Sequence, residues 1–321
     1  MISGKIRHIV LSGGGGTGFA YYGALRESHK DGFWNIDDIQ TMHGVSSGAI
    51  FTILISLIKH ITWNDFDDYC IKRPWENVFN MTPDKIMNSY SNLGICGRES
   101  VENIIEPVLR AVDLPLNVTM QQFYEFTGIE THIYTTNMDT FTPVDISYKT
   151  HPEWTLVDAL YSSCALPLLF RPNTVNGEVY IDGATICNYP IKQCIDNGVS
   201  PDEIFGIRKT SCISTRATNT HERSEDKPRY GNIIEYLIDL IHKFSKKNHT
   251  DKTIHKYTME IEDEVTSVWE FYKVIKTREG RASKIQYGVD IWGAFKLKIE
   301  SLREEETSLM ESTEGSTDDK E

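Results

Sequence analysis

The sequence predicts an α/β fold with parallel strands, because two strand–turn–helix units follow one another near its start. The first unit is an apolar segment at 5–12, a run of glycines, and a helical pattern at 19–30. The second is an apolar segment at 36–43, a serine framed by glycines, and an apolar helical pattern at 49–60. Repeated units of this kind are typical of sheets whose parallel strands are joined by crossover helices.

The elements further along the chain alternate in a similar way. Apolar periodicity predicts helices at 100–112 and 154–166, with Pro107 kinking or ending the first of them. Strands are predicted at 130–137, 142–146, 178–181 and 204–209. The segment 63–126 is rich in aromatic residues and mostly helical in pattern, and we interpret it as a helical cap over the site.

The last third of the chain carries weaker signals. The polar stretch at 211–230 predicts a loop, and the apolar stripe at 233–244 predicts a helix packed on the core or, alternatively, on a membrane surface. The stretch 301–321 is acidic with almost no large apolar residues, which predicts a disordered tail. We therefore divide the chain into a core at 1–210, an extension packed on it at 211–300, and this tail.

The composition argues against several classes of partner. A net charge of −13 over 321 residues does not favour nucleic acid, whose phosphates attract basic surfaces. It also gives no general attraction to anionic lipid, so membrane contact needs a local patch. The most apolar stretch, 49–61, is shorter than the ~20 residues of a membrane span, and no secretory signal is visible. With six scattered cysteines and no C-x-x-C pair, we expect a cytoplasmic protein with free thiols. A peripheral location on membranes is compatible with that expectation.

The sequence Gly44-Val45-Ser46-Ser47-Gly48 has the G-x-S-x-G pattern of a nucleophile elbow. Serine attacks well only when a base takes its proton and hydrogen-bond donors stabilise the oxyanion. In such an elbow the serine lies on a sharp strand-to-helix turn, and the flanking glycines prevent clashes. The predicted strand before Gly44 and helix after Gly48 supply that context, so Ser46 is the candidate nucleophile. A plain glycine-rich turn between a strand and a helix is the alternative.

The run Gly13-Gly14-Gly15-Gly16-Thr17-Gly18 has two interpretations. It fits G-x-G-x-x-G after a strand, as in a dinucleotide site, and Asp37 or Asp38 follows at about the 20-residue distance that such a site prefers. It also fits an oxyanion hole, in which successive N–H groups at a helix start hold a developing negative charge. The elbow one strand later favours the oxyanion hole. The candidate donors are then the N–H groups of Gly13, Gly14, Gly15 and Gly16.

Asp182-Gly183-Ala184 offers an acid at the end of a predicted strand, beside two residues too small to crowd it. An aspartate in this setting is often only a turn or helix cap. It becomes the candidate base for Ser46 because no histidine has an equally defined setting. A Ser-His-Asp arrangement stays open, in which Asp182 orients a histidine from a polar or lysine-rich segment. The four candidates are His221, His242, His249 and His255.

Several ordered motifs of the chain resemble those of the patatin-like phospholipase family. The similarity covers residues 5–210, about two-thirds of the chain. It is carried by LSGGGGTGFAYYGAL at 11–25, GVSSGAI at 44–50, SSCALPLLFRP at 162–172 and YIDGATICNYP at 180–190. The segment 123–146 also resembles the middle strands of this family. Thr17 is a departure, since many members carry a basic residue just before the last glycine of the first motif.

The resemblance implies a three-layer α/β/α sandwich with a mainly parallel central sheet, and a Ser–Asp dyad. Ser46 would be the nucleophile and Asp182 the proton acceptor. The motif glycines would be Gly18, Gly44, Gly48 and Gly183. The implied reaction is hydrolysis of a fatty-acyl ester in a lipid or phospholipid through an acyl-enzyme, with transient contact to a membrane surface.

Neither a cofactor nor a metal is implied, because no cluster of His, Cys or Asp in the sequence has ligand spacing. Two other functions are compatible with the same motifs. One is a Ser-His-Asp carboxylesterase, and the other is a non-catalytic lipid-binding protein on the same fold.

Overall fold

The computed structural model describes residues 5–79, 82–210, 255–263 and 268–314, together with positions 236, 237, 240 and 243. The strands in these ranges are β1 (His8–Leu11), β2 (Thr41–Val45), β3 (Gly94–Cys96), β4 (Glu130–Asn137), β5 (Thr142–Ile146), β6 (Leu168–Phe170), β7 (Asn173–Val175), β8 (Glu178–Asp182), β9 (Ile204–Thr210) and β10 (Thr258–Glu262). The helices are α1 (Gly18–Lys30), α2 (Ser47–Ser56), α3 (Trp63–Lys72), α4 (Pro83–Met87), α5 (Ser89–Asn92), α6 (Arg98–Ala111), α7 (Met120–Thr127), α8 (Leu156–Cys164), α9 (Ile191–Asp196), α10 (Val268–Lys276) and α11 (Arg278–Glu314).

The strands of the described ranges form one large sheet and one small one. The large sheet has eight strands in the order β10–β9–β1–β2–β4–β8–β7, with β5 also paired to β4. The strands from β10 to β4 run parallel, whereas the pairs β4–β8, β8–β7 and β4–β5 are antiparallel. Strands β3 and β6 form the separate parallel pair. The mainly parallel sheet is thereby confirmed, and the carboxyl ends of β1 and β2 meet at the edge where such folds place their sites.

Helices cover both faces of the large sheet. Ile9 and Leu11 of β1 belong to the main apolar cluster, which also contains the buried residues of α1 and α2. Val10, between them, packs with Ile191 and Cys194 of α9 in a second cluster. Successive side chains of a strand point to opposite faces, so the two clusters lie on opposite sides of the sheet. The three layers expected from the sequence are therefore present.

The segment after residue 254 contributes to both the sheet and a helical layer. Strand β10 pairs in parallel with β9, and α11 packs along α1. The two helices approach so closely that a Cβ at Gly288 would lie 1.9 Å from the carbonyl oxygen of Ala20. The sheet thus continues beyond residue 210, which the sequence analysis gave as the end of the core.

The predicted strands at 130–137 and 142–146 are confirmed as β4 and β5. The predicted strand at 36–43 is wrong in its first half. The side chain of Asn35 accepts a hydrogen bond from the Asp37 N–H and caps a 3-10 turn at Ile36–Asp38, so β2 begins only at Thr41. Local side-chain capping outweighed the apolar pattern there.

Two helices continue through positions where the sequence allowed a break or predicted disorder. Helix α6 continues through Pro107 to Ala111, so the early break is wrong. Its buried apolar stripe packs on the core and outweighs the loss of one backbone hydrogen bond. Helix α11 runs to Glu314, so the disorder expected over 301–321 is wrong for 301–314. That stretch has neither glycine nor proline, and extending a formed helix adds hydrogen bonds without a new nucleation cost.

Some sequence predictions lie outside the described residues. These are the loop at 211–230, most of the helix at 233–244, the tail at 315–321, and the histidines His221, His242 and His249. Within the described ranges, no helix combines the length and the apolar character needed to cross a membrane.

Candidate active site

Ser46 occupies a strained turn between β2 and α2. Its backbone has φ 53° and ψ −124°, a region that residues with a side chain rarely adopt. The flanking glycines make the turn possible, because a Cβ at Gly44 would lie 2.6 Å from the Ala49 backbone and one at Gly48 would lie 2.5 Å from the carbonyl oxygen of Ser12. The geometry is that of a nucleophile elbow, with the serine held at the carboxyl edge of the sheet.

The strand register brings Asp182 to Ser46. Val45 pairs with Tyr134 of β4, and the next β4 residue, Thr135, pairs with Asp182 of β8. Ser46 and Asp182 therefore lie at the same height on either side of β4. The hydroxyl of Ser46 donates a hydrogen bond to Asp182 Oδ2 at 2.7 Å.

Asp182 is almost completely buried, with 2% of its surface exposed. Its Oδ1 accepts a hydrogen bond from the Ala184 N–H at 2.8 Å, so the carboxylate caps a 3-10 turn with one oxygen and contacts Ser46 with the other. Burial raises the pKa of Asp182 to about 6, although the hydrogen bonds from Ser46 and Ala184 act in the opposite direction. Gly183 is required beside it, since a Cβ there would lie 2.3 Å from the carbonyl oxygen of Tyr134.

The glycine run lies against both residues. A Cβ at Gly13 would lie 3.4 Å from the Cβ atoms of Ser46 and Ala184, so the three sequence motifs converge on one site. The Gly13 N–H donates to the carbonyl oxygen of Asn188 at 3.0 Å, and the Gly14 N–H donates to Ser47 Oγ at 3.1 Å. These two of the four predicted oxyanion donors are therefore engaged by the protein itself.

Gly15 and Gly16 differ from the two glycines before them. They open the 3-10 turn Gly15–Thr17, so their N–H groups have no carbonyl partner within that turn. Gly15 has φ 56°, which favours glycine at this position. Gly15 and Gly16 thus differ from Gly13 and Gly14, whose N–H groups donate to Asn188 and Ser47.

Ser163 is a part of the site that sequence reasoning missed. Its hydroxyl accepts a hydrogen bond from the Ser46 N–H at 2.8 Å and donates one to the carbonyl oxygen of Tyr134 at 2.6 Å. Ser163 is fully buried and anchors the strained elbow to β4. It falls within the block SSCALPLLFRP, so the family resemblance was the one signal that pointed to it.

Neither His43 nor His255 is placed to serve as the base for Ser46. Both ring nitrogens of His43 are hydrogen-bonded, Nδ1 with the Tyr134 hydroxyl at 3.0 Å and Nε2 with Thr41 Oγ1 at 2.9 Å. His255 precedes β10 and so lies at the amino edge of the parallel strands, opposite Ser46. Ser46 Oγ contacts the carboxylate of Asp182 directly.

The dinucleotide interpretation of the glycine run is not supported by the fold. Asp37 and Asp38 precede β2 and lie at its amino end, where they pair with Lys59 at 3.0 Å and Lys5 at 2.6 Å. The glycine run follows the carboxyl end of β1, at the opposite edge of the same parallel pair. No group of three or more His, Cys, Asp or Glu side chains in the described chain is placed to hold a metal ion.

Two curated viral proteins are similar in sequence to this chain. Probable lipid hydrolase 463L of Invertebrate iridescent virus 6 is 26% identical over 221 residues, which cover 67% of this chain and 73% of that protein. Uncharacterized protein R571 of Acanthamoeba polyphaga mimivirus is 25% identical over 288 residues, which cover 86% of this chain and 89% of that protein.

Two bacterial proteins are among the solved structures that resemble the fold. VipD from Legionella pneumophila is 14% identical with a TM-score of 0.48, and the match covers 92% of this chain and 67% of that one. ExoU, in its heterodimeric complex with SpcU from the type III secretion system of Pseudomonas aeruginosa, is 14% identical with a TM-score of 0.43. That match covers 92% of this chain and 52% of the other.

A sequence profile settles the family to which the chain is related. The profile described as patatin-like phospholipase matches residues 9–195, more than half of the chain. The matched range contains the glycine run, the elbow at Ser46 and the strand that ends at Asp182. The chain therefore belongs to the patatin-like phospholipase family.

Proposed function

We propose that this protein is a lipid acyl hydrolase that cleaves fatty-acyl esters of phospholipids through a Ser46–Asp182 dyad and an acyl-enzyme. The observation that carries the proposal is the 2.7 Å hydrogen bond from Ser46 Oγ to Asp182 Oδ2, and the glycine run that lies against Ser46 at Gly13 supports it. Membership of the family and the similarity to a protein named a probable lipid hydrolase support a lipid substrate.

In the acylation step, Ser46 Oγ attacks the ester carbonyl carbon while its proton passes to Asp182 Oδ2. The carbonyl oxygen becomes an oxyanion, which the N–H groups of Gly15 and Gly16 stabilise. The bond to the alcohol portion of the lipid then breaks. Asp182 returns the proton to the departing alkoxide, so the lysolipid leaves as an alcohol and the acyl group stays on Ser46.

In the deacylation step, water takes the position of the alcohol. Asp182 accepts a proton from the water as its oxygen attacks the acyl-enzyme carbonyl, and the same N–H groups hold the second oxyanion. Collapse releases the fatty acid, and the proton returns from Asp182 to Ser46 Oγ. A pKa of about 6 suits Asp182 for both directions, since it is ionised at neutral pH but more basic than an exposed aspartate.

The direct test of this function is a measurement of chemistry on the wild-type protein. We expect purified protein to release fatty acid from phosphatidylcholine or phosphatidylglycerol vesicles, and a fluorophosphonate probe to label the peptide that contains Ser46. Heat-unfolded protein is the control for non-specific labelling. A native protein that binds vesicles yet releases no fatty acid and takes up no probe would be the non-catalytic lipid-binding alternative.

We also propose a membrane-contact surface, formed by exposed apolar side chains in the segment before β3. Met87, Tyr90 and Leu93 are 80%, 92% and 66% exposed. These residues lie in the segment before β3, and β3 pairs with β6. Ala165 lies just before β6, and its carbonyl oxygen accepts a hydrogen bond from the Asp182 N–H at 3.0 Å. Large apolar groups exposed together are a usual mark of an interaction site.

Serine substitutions test this surface. The triple variant Met87→Ser, Tyr90→Ser, Leu93→Ser should bind vesicles about 100-fold more weakly than wild type, because three lost apolar side chains, each worth roughly 1 kcal/mol in lipid, weaken binding by about 3 kcal/mol in all. Its turnover of a short-chain soluble ester should be unchanged. Leu297→Ser on α11, also at an exposed leucine, is the matched control and should bind as wild type does. Equal vesicle binding by the triple variant would remove the surface from the proposal.

A further inference from the structure

The glycine run is tied to a carboxylate that lies outside the family match. Thr17 Oγ1 donates a hydrogen bond to Asp263 Oδ2 at 2.6 Å. The other oxygen of Asp263 accepts one from Lys284 Nζ at 2.8 Å. Asp263 directly follows β10 and Lys284 lies in α11, whereas the family match ends at residue 195. The C-terminal segment thus reaches the glycine run through a buried hydrogen bond.

The hydrogen bonds from Thr17 and Lys284 to Asp263, called here the Asp263 tie, are buried and electrostatically strong. Thr17 is fully buried, Asp263 is 5% exposed, and the Lys284 side chain is only partly accessible. Burial acts to raise the pKa of Asp263, but the hydrogen bonds from Lys284 and Thr17 outweigh it and hold that pKa below its usual value. Asp263 is therefore ionised at neutral pH, and a hydrogen bond to an ionised acceptor is roughly twice as strong as a neutral one.

The position of Thr17 explains why this bond matters for the loop. Between Gly13 and Gly18, Thr17 is the one residue with a side chain, so the run makes side-chain contacts of its own only through Thr17. Thr17 also closes the 3-10 turn that begins with Gly15 and Gly16. Glycine backbones sample a wide range of conformations, and oxyanion donors are effective only when they are held in place before the reaction.

We propose that Asp263, paired with Lys284, is a positioning residue for the oxyanion donors and acts through Thr17. This inference rests on the proposed hydrolase function and gives the C-terminal segment a part in it. Asp263 holds the turn that presents the Gly15 and Gly16 N–H groups, and it does not touch the substrate. The segment 255–314 is then required for the rate of the reaction as well as for packing against α1.

The test compares variants that break the tie with variants that keep it. Thr17→Val replaces the hydroxyl by a methyl group of similar size, and Asp263→Asn removes the charge. Both should lower kcat on a soluble ester by about 10- to 100-fold with little change in KM, because misplaced donors raise the energy of the transition state alone. The double variant should be no slower than the worse single variant, since both break one interaction. Thr17→Ser keeps the hydroxyl and should retain kcat within about twofold.

Each kcat is expressed per active site titrated with fluorophosphonate, so loss of folded protein does not count as loss of rate. A merely structural tie would lower the number of titratable sites and leave kcat per site unchanged. Lys284→Met offers a milder break at a partly exposed position and should lower kcat severalfold even if Thr17→Val does not fold. The control is Lys296→Met, which removes another contact from α11, the 2.9 Å bond to Asp31, and should leave kcat unchanged.

The outcomes separate the two proposals. The positioning role would be overturned if the wild-type protein is active and the variants keep its kcat per site, and the hydrolase function would stay intact. The variants concerned are Thr17→Val, Asp263→Asn and Lys284→Met. A wild-type protein with neither turnover nor labelling would overturn the proposed function and this inference together.

Discussion

The Ser46→Ala variant is expected to lose hydrolysis of every ester substrate, on the order of 10⁶-fold in kcat, as when a serine hydrolase loses its nucleophile. The substitution removes the atom that forms the acyl-enzyme and leaves the rest of the site in place. Asp182 keeps its hydrogen bond from the Ala184 N–H, and the backbone N–H at position 46 can still donate to Ser163. The measurements are fatty-acid release from phospholipid vesicles and labelling by a fluorophosphonate probe.

Ser200→Ala is the matched control for this variant. Ser200 is exposed, precedes the 3-10 turn before β9, and makes no capping hydrogen bond with its side chain. It should label and turn over substrate as wild type does. Substantial esterase activity in purified Ser46→Ala protein would mean that the chemistry lies elsewhere in the chain.

The proximity of Ser46 and Asp182 could be predicted from sequence because their surroundings constrain nearby positions. The elbow needs glycines at 44 and 48 since the backbone of α2 and the Ser12 carbonyl oxygen leave no space for a Cβ. Asp182 likewise needs Gly183 beside the Tyr134 carbonyl oxygen. Such steric requirements select glycine within two residues of Ser46 and Asp182, so a short sequence motif contains them.

The supporting residues could not be identified in this way, because their partners are distant in the chain. Ser163 meets Ser46 across 117 positions, and Asp263 meets Thr17 across 246. Neither has a local pattern that distinguishes it from an ordinary buried serine or a surface aspartate. The antiparallel direction of β8 was also not visible, since an apolar strand pattern carries no information about the direction of its neighbours.

The Asp182→Asn variant is expected to lose activity and gain stability. Asparagine has nearly the same shape, and its amide oxygen can still accept the Ala184 N–H, but it cannot take the proton of Ser46. Loss of a general base lowers kcat by about 10²- to 10⁴-fold. Wild-type kcat/KM should correspondingly fall as pH drops below about 6, where Asp182 becomes protonated in the free enzyme.

The gain in stability follows from the pKa of Asp182 in the two states of the chain. Folding raises this pKa from 3.8 to about 6, so between these values the folded state binds more protons than the unfolded state. The free energy of unfolding of the wild type therefore falls as pH rises from about 4 to about 6, by roughly 3 kcal/mol at the full shift. Below about pH 4 the carboxyl is neutral in both states and this cost is absent.

Urea unfolding of wild type and Asp182→Asn across this pH range measures the effect. The difference in unfolding free energy should be small near pH 4 and should grow in favour of Asp182→Asn up to about pH 6.5, then stay constant. Asp145→Asn is a useful comparison, because that carboxylate accepts a hydrogen bond from His132 at 2.9 Å and its loss should destabilise the protein. A catalytic role explains why the protein has a buried carboxylate that lowers its stability. A structural role does not, since asparagine would cap the same turn without this loss of stability.

If Asp182→Asn were instead less stable at neutral pH and retained its kcat, Asp182 would be a structural cap and the base would have to be sought elsewhere.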